Sequence, residues 1–500
     1  MDIYYFLLYD VFLKKIIIFA PTKTIETMDI NNLITSVNDV IWGDCLIYVL
    51  IACGLWFTWR TRFMQFRMIG EMFRLLTDAA VDTAGAKKEE DKSKKHISSF
   101  QAFIVSVATR VGTGNLAGVA SAIAIGGPGS VFWMWVIALI GSATAFVEST
   151  LAQLYKQKHE DSYIGGPAYY IQKGLKKRWM AIFFAVCITL QFGLTNNSIQ
   201  ANTICTAMEE AFGLPHLWVG CTMTVVSLFI VFGGIQRIAN VCTVLVPIMA
   251  ICYLLLALVV IALNFELIPH VFKVIFLDAF GIQQVAGGGI GMTIMMGVKR
   301  GLFSNEAGEG SAPNVAATAT TSHPVKQGLI QALGVFTDTL LLCSCTTFII
   351  IISGLYTSEN DGIVLTQSAL QSEVGNLGPI FVALAIFLFA YSTIIGNYYY
   401  GEANVRFITK SPMVMTIYRI LSGGVMVLFG AVASFDLVWN LVDFFMAFLT
   451  ACNLIAIVIL GRYAFRLLDD YRQQKRQGIK EPTFHRSQIP ELANELDCWE

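Results

Sequence analysis

Apolar and polar positions alternate along this chain in long blocks. Runs of about 20 apolar residues, the length that crosses hydrocarbon as a helix, fall near 41–59, 98–123, 129–155, 179–207, 216–234, 239–263, 283–303, 327–354, 378–402, 413–433 and 437–461. They predict an all-α polytopic membrane protein with eleven transmembrane helices. Glycine interrupts two of the runs, at ATRVGTGNLAG (108–118) and AGGGIG (286–291). Each glycine weakens a helix by about 1 kcal/mol relative to alanine, so clusters in mid-span predict unwound backbone. Lipid tolerates such backbone only where protein buries it or it lines a cavity. The two interruptions lie five spans apart and so run in opposite directions. That pattern predicts a five-plus-five inverted repeat with discontinuous first helices. Close packing of small residues is the competing account of either cluster alone.

The same pattern divides the chain. Residues 1–40 form an N-terminal extension, 41–59 an extra transmembrane helix and 60–97 an amphipathic, charged cytoplasmic linker. Residues 98–263 and 264–462 form the two repeats, and 463–500 a polar, flexible cytoplasmic tail. Residues 3–20 are apolar but carry Asp10, Lys14 and Lys15. They read as a signal-like stretch or as sequence upstream of a start at Met28.

Composition agrees with a membrane location: 55% of the residues are hydrophobic, 14% are charged, and mean hydropathy is +0.63. Soluble domains carry about 25% charged residues. The net charge of −1 decides little; the placement of lysine and arginine decides more, because cytoplasmic loops collect them. With eleven spans, 29 of the 34 basic residues fall on one side, Lys299, Arg300 and Lys326 among them, and four fall on the other. The N-terminus is then outside, the C-terminus cytoplasmic, and the setting a bacterial plasma (inner) membrane. The remaining basic residue, Arg110, lies inside a span with Glu148 and Asp338 for company. The eleven cysteines are scattered through apolar runs and read as buried thiols.

Longer motifs narrow the function. VGTGNLAGVASAIAIGGPGSVFWMW (111–135), IGGPAYYIQKGL (164–175), QAN (200–202), GLFSNEAGEGSAPNVAATA (301–319) and VFTDTLLLCSCTTF (335–348) resemble the alanine or glycine:cation symporter family, over about residues 30–465. That family is similar in architecture to the LeuT-type transporters. The resemblance implies sodium-coupled symport of a small neutral amino acid, alanine or glycine, into the cell by alternating access. Another small substrate, or proton coupling, is the nearest alternative. The implied partners are the amino acid, the co-transported sodium ion and the lipid bilayer, with no nucleic acid. The chain departs from the motif at Glu309, where the family usually has Met or Leu; an inner-loop position away from the substrate is expected for it. An ion channel lacks support, since no filter sequence or acidic ring is evident. An enzyme lacks it too: there is no HExxH, and His159, His216, His270 and His323 fall in loops or near span ends.

A zwitterion needs donors for its carboxylate, acceptors for its ammonium and a sized pocket. The outer half of the first broken helix offers free N–H groups and a positive dipole end, which points to Thr113 and Gly114 for the carboxylate. In the second break, Gly287, Gly288 and Gly289 would offer carbonyls to the ammonium, and Met292, Met295 and Met296 could narrow the pocket. The LeuT-type resemblance implies a sodium site from the carbonyls of Ala108 and Val111 with the hydroxyls of Ser392 and Thr393. It also aligns GTGN (112–115) with a second site near Asn115. The QAN motif implies a carboxylate contact for Gln200, although interhelical hydrogen bonds explain Gln200 and Asn202 equally well. Asp338 reads either as an ion ligand or coupling carboxylate, or as a structural partner of Arg110; Arg110 could also pair with Glu148.

Overall fold

The computed structural model describes residues 30–86, 97–159, 162–282 and 289–499. Helices account for nearly all of its regular structure. In chain order they are α1 (Ile30–Ile41), α2 (Ile47–Arg60), α3 (Ile69–Ala86), α4 (Ser99–Arg110), α5 (Gly114–Gly126), α6 (Ser130–Leu154), α7 (Pro167–Gly174), α8 (Arg178–Phe212), α9 (His216–Val231) and α10 (Gly234–Leu263). They continue as α11 (Ile268–Ala279), α12 (Gly289–Asn305), α13 (Pro313–Ala316), α14 (Pro324–Ile352), α15 (Gly362–Val374), α16 (Leu377–Ile408), α17 (Pro412–Val432) and α18 (Phe435–Arg476). A two-stranded antiparallel ribbon, β1 (Gln157–His159) and β2 (Ser162–Ile164), follows α6.

Each predicted apolar run falls largely on helix where it is described, the run at 98–123 being broken at Val111. Among the described residues, seven helices are long and apolar enough to cross a membrane, or eight if the bent pair α4–α5 counts as one span. The chain is therefore a multi-pass membrane protein. Along α10 the exposed side chains include Val244, Ile248, Ile251, Leu255, Leu258 and Val259. Three- and four-residue spacing puts such positions on one helix face, and this one suits hydrocarbon rather than water.

The first break forms as the sequence predicts. Ser98 opens α4 with a capping box: its hydroxyl accepts from the Gln101 N–H, and the Gln101 side chain accepts from the Ser98 N–H. The helix stops at Arg110, Val111 is extended, and α5 leaves at 48° to α4. The second interruption lies elsewhere than expected. Residues 283–288, which include Gly287 and Gly288, are outside the described residues. Gly289 opens α12, which then runs unbroken to Asn305. The turn comes at 306–312, where Glu306, Gly308 and Gly310 all adopt left-handed φ (57°, 100° and 81°) before Pro313 starts α13. No helix continues through three such residues, and at the non-glycine Glu306 that conformation carries strain.

Other differences are local. The N-terminal span begins within described helix at Ile30, before the expected boundary at 41, and a π-helical turn (Trp42–Leu46) joins α1 to α2. Lys299 and Arg300 are buried in α12, where both pair with Asp443 of α18. They are not the loop residues that the inner-side charge count took them for. The tail is ordered: α18 extends to Arg476, and Phe484, Ile489, Leu492, Leu496 and Trp499 are buried.

Helices approach closely where side chains are absent, the usual device of membrane bundles. A Cβ at Gly430 of α17 would lie 2.1 Å from the Ser198 carbonyl oxygen of α8. Backbone cannot yield there as a flexible side chain could. Gly430→Ala is expected to destabilise the protein by about 1–3 kcal/mol, the usual range for overpacking. Gly423→Ala, whose Cβ would meet nothing nearer than 3.5 Å, should be nearly neutral. Thermal melts in detergent compare the two, and equal melting temperatures would contradict the packing assignment.

Candidate functional site

Unwinding α4 at Arg110 frees carbonyls at the end of one half-helix and N–H groups at the start of the next. α16 crosses at this point. Thr393 Oγ1 lies 2.8 Å from the Ala108 carbonyl oxygen, 3.1 Å from that of Val111 and 3.0 Å from that of Phe389. A hydroxyl has one proton, so it can satisfy one of those three carbonyls. The other oxygens converge as a cation requires. Ala108, Val111 and Thr393 thus meet as the family resemblance implies. The neighbouring Ser392 hydroxyl instead bonds the Phe389 carbonyl in its own helix, at 2.8 Å, the common habit of serine in such helices. The Phe389 carbonyl escaped the sequence reading because a backbone oxygen leaves no mark in side-chain identity.

On the other side of the break, the Thr113 N–H donates to Gln200 Oε1 at 2.9 Å. Gln200 therefore sits on the amide expected to receive a carboxylate. Gly112 has no room for a side chain: a Cβ there would come within 2.5 Å of Thr393 Oγ1 and 2.7 Å of Gln200 Oε1. The Thr113 hydroxyl is buried without a partner, a donor available to a ligand. Gly114 faces Phe303 and the Ser304 backbone of α12, both 3.2 Å from a Cβ built on it. Asn202 makes the structural choice and donates to the carbonyls of Gly430 and Ala433.

A π-helical turn at Gly114–Gly118 opens α5, and turns of this kind recur at functional sites. Thr346 and Thr366 donate to the carbonyls of Asn115 and Leu116 there. The Asn115 side chain accepts from the Gly112 N–H at 3.0 Å and donates to Asp338 Oδ1 at 2.7 Å. Asp338 lies in a second π-helical stretch, Phe336–Cys343, and also accepts from Ser304 (2.7 Å) and Thr339 (3.0 Å). Asn115 and Asp338 thus belong to one buried oxygen-rich cluster. None of the described ion pairs involves Arg110, whose guanidinium donates only a 3.5 Å bond to the Gln331 carbonyl. The proposed pairing of Arg110 with Asp338 or Glu148 is not what holds it.

Carboxyl groups also line the turn at 306–312. Glu306 accepts from Ser311 and from Tyr400, whose hydroxyl is 2.7 Å from that of Thr109 in α4. Glu148 accepts from the Gly308 N–H and from Asn453 Nδ2, which also bonds the Gly308 carbonyl. Glu309 is 1% exposed; it accepts from Gln191 at 3.1 Å and its other oxygen has no partner. It is buried in the turn between α12 and α13, where an inner-loop position away from the substrate was expected for it. Gly289 is far from all of this. One turn into α12, Thr293 bonds both the Gly289 carbonyl and the carbonyl of Gly126, the last residue of α5. The break is about 18 Å away along α5, by helical rise. Met296 packs beside Gly126 and not at the break. Sequence reading missed Glu306 because it ended the span at 303; Gly308, Gly310 and Pro313 in NEAGEGSAP were the overlooked sign.

Aromatic rings pack beside α5, where the half-helices of the break part. Phe303 and Trp439 pack edge to face at 4.7 Å, and the Trp439 ring reaches within 3.8 Å of a Cβ built on Gly118. Arg300 lies 3.9 Å over the same indole and forks onto Asp443 at 2.9 and 3.2 Å.

Comparison with known proteins identifies the family and the fold. The sodium:alanine symporter family model matches residues 27–486. The probable sodium/glutamine symporter GlnT of Bacillus subtilis is 50% identical over 92% of this chain and 94% of its own. The sodium/alanine symporter AgcS of Methanococcus maripaludis is 36% identical over 87% and 95%, and the sodium/proton-dependent alanine carrier protein of Bacillus sp. PS3 is 38% identical over 79% and 92%. Among solved structures, MhsT in complex with L-phenylalanine superposes with a TM-score of 0.54 at 15% identity, covering 76% of this chain and 90% of that one. The fold is thus of LeuT type, and the chain is a transporter, not an enzyme: it belongs to the sodium:alanine symporter family.

Proposed function

We propose that this protein carries alanine or glycine into the cell together with sodium by alternating access. In this reading eleven spans, a five-plus-five inverted repeat after one extra helix, cross a bacterial inner membrane with the C-terminus cytoplasmic. The observation that carries the proposal is the Thr393 hydroxyl within 3.1 Å of three carbonyls, two of them released by the break in α4. Sodium is cargo here, held by the Ala108, Val111 and Phe389 carbonyls and Thr393, with Ser392 at its edge. The Asn115–Asp338 cluster is the second cation position. The substrate carboxylate takes the Thr113 and Gly114 end of α5, displacing or joining the Gln200 amide. A Cβ built on Gly114 would already lie 3.2 Å from α12, and this close approach favours a substrate with a small side chain. One cation moving down about 100 mV supplies about 2.3 kcal/mol, enough for a roughly 40-fold gradient of a neutral zwitterion.

A second substrate is favoured by one observation: the relative that is 50% identical is named for glutamine. Purified protein in liposomes, tested for counterflow of labelled alanine, glycine and glutamine in sodium or choline, separates the readings. Alanine or glycine counterflow in sodium alone is expected. Counterflow undiminished in choline at constant pH would remove sodium coupling, and glutamine alone would remove the small-substrate assignment.

Thr393→Val keeps the side chain's shape and removes its oxygen. The sodium concentration for half-maximal uptake should rise at least about tenfold, the loss of about 1.4 kcal/mol of binding. Ser392→Ala should shift it less, because that hydroxyl is already bonded in its own helix. Gly112→Ala should abolish uptake while leaving membrane insertion intact, since the added carbon would occupy space held by Thr393 and Gln200.

A further inference from the structure

Beyond Arg476 the chain turns back and lies across the inner ends of several helices. Five apolar side chains, Phe484, Ile489, Leu492, Leu496 and Trp499, are buried along this return. Trp499 Nε1 donates to the carbonyls of Gln153 and Leu154, both at 3.2 Å, at the end of α6. Its ring packs on Phe484 and lies 4.8 Å from the Lys156 ammonium. The Phe484 N–H donates to the Ser322 carbonyl, and Ser322 Oγ to that of Pro482, just before α14. Ion pairs ring these anchors. Lys173 meets Asp497 at 2.6 Å, Lys176 meets Glu495 at 2.9 Å, and Lys326 and Arg74 both meet Glu481.

The location of these contacts gives them meaning. Gln153 Nε2 donates to the carbonyls of Ala316 and Ala319, and Lys156 donates to that of Ala319. The same stretch pairs with the start of α4, where the Thr320 N–H donates to the Ile97 carbonyl at 3.1 Å. Trp499 therefore caps the point at which α6 grips the inner halves of both broken spans. An inward path past α4 and α13 cannot widen without loosening that grip.

We propose that residues 479–499 are a clamp that holds the inner end of the carrier shut and sets the rate at which it opens; this rests on the alternating-access reading above. The construction suits a releasable part. A handful of apolar anchors supplies the hold, while the ion pairs involve half-exposed partners such as Asp497 and Glu481, and exposed pairs contribute little and weaken with salt. Local opening of this kind costs less than global unfolding.

Full-length protein carrying Trp499→Ala tests it, by amide hydrogen exchange in detergent and by counterflow in liposomes. Exchange at 97–102 and 313–322 should quicken about tenfold, as a local opening eased by that factor requires. Counterflow should accelerate and the global melting temperature should hold. Unchanged exchange and unchanged transport in a folded variant would overturn the clamp. If Trp499→Ala does not fold, Lys173→Glu should loosen the same segments and Lys173→Glu with Asp497→Lys should restore them; failure of either step counts against the clamp. Exchange is read without substrate, so quickened exchange in a protein that moves neither alanine nor glycine would sink the substrate assignment and leave the clamp standing.

Discussion

Peptide groups released inside a membrane have no water to bond, and the site follows from how this chain meets that constraint. Where α4 stops, Thr393 reaches the carbonyls and Gln200 takes an N–H. Where α5 opens in a π-helical turn, Thr346 and Thr366 take the next carbonyls. At the turn after α12, Glu148 and Asn453 hold both polar groups of Gly308. These partners come from α6, α8, α14, α15, α16 and α18, so most of the bundle serves the two interruptions. Some of the partnerships are provisional by nature. A hydroxyl that faces three carbonyls, and an amide oxygen that occupies a helix N-terminus, are contacts that an ion and a carboxylate can replace at little loss.

The charged groups fall into two sets. Lys299 and Arg300 of α12 pair with Asp443 of α18 beside the Trp439 ring. Glu148, Glu306 and Glu309 gather around the turn, and among the described residues Arg110 forms an ion pair with none of them. Buried ions without partners are costly, and a protein keeps such groups in a membrane chiefly where transport uses them.

Much of this was legible in the sequence. Apolar runs located the helices because lipid demands about twenty apolar residues per crossing. The glycines of GTGN located the first break because they stand alone in an apolar run. Of AGGGIG, the described part opens a helix: glycine also occurs where a helix begins, as Gly289 does, and local composition cannot tell a start from an interruption. The real turn was disguised by its charges. Glu306 and Glu309 look like loop residues until tertiary contacts bury them. The tail misled similarly, because five apolar residues spread over sixteen positions form no run, yet they bury once the chain folds back. Site residues whose contribution is a backbone oxygen, Phe389 above all, carry no signature in one sequence.

α18 is 42 residues long, about 63 Å at helical rise. Trp439 and Asp443 occupy its upper end, and Arg466 and Asp470 near its lower end bond the returning tail. Close to its midpoint Asn453 is pinned by bonds with Glu148, Gly308 and Tyr170. One helix thus ties the aromatic pair, the turn at Gly308 and the returning tail to a single rigid element, so that a shift at any one of them is carried to the other two.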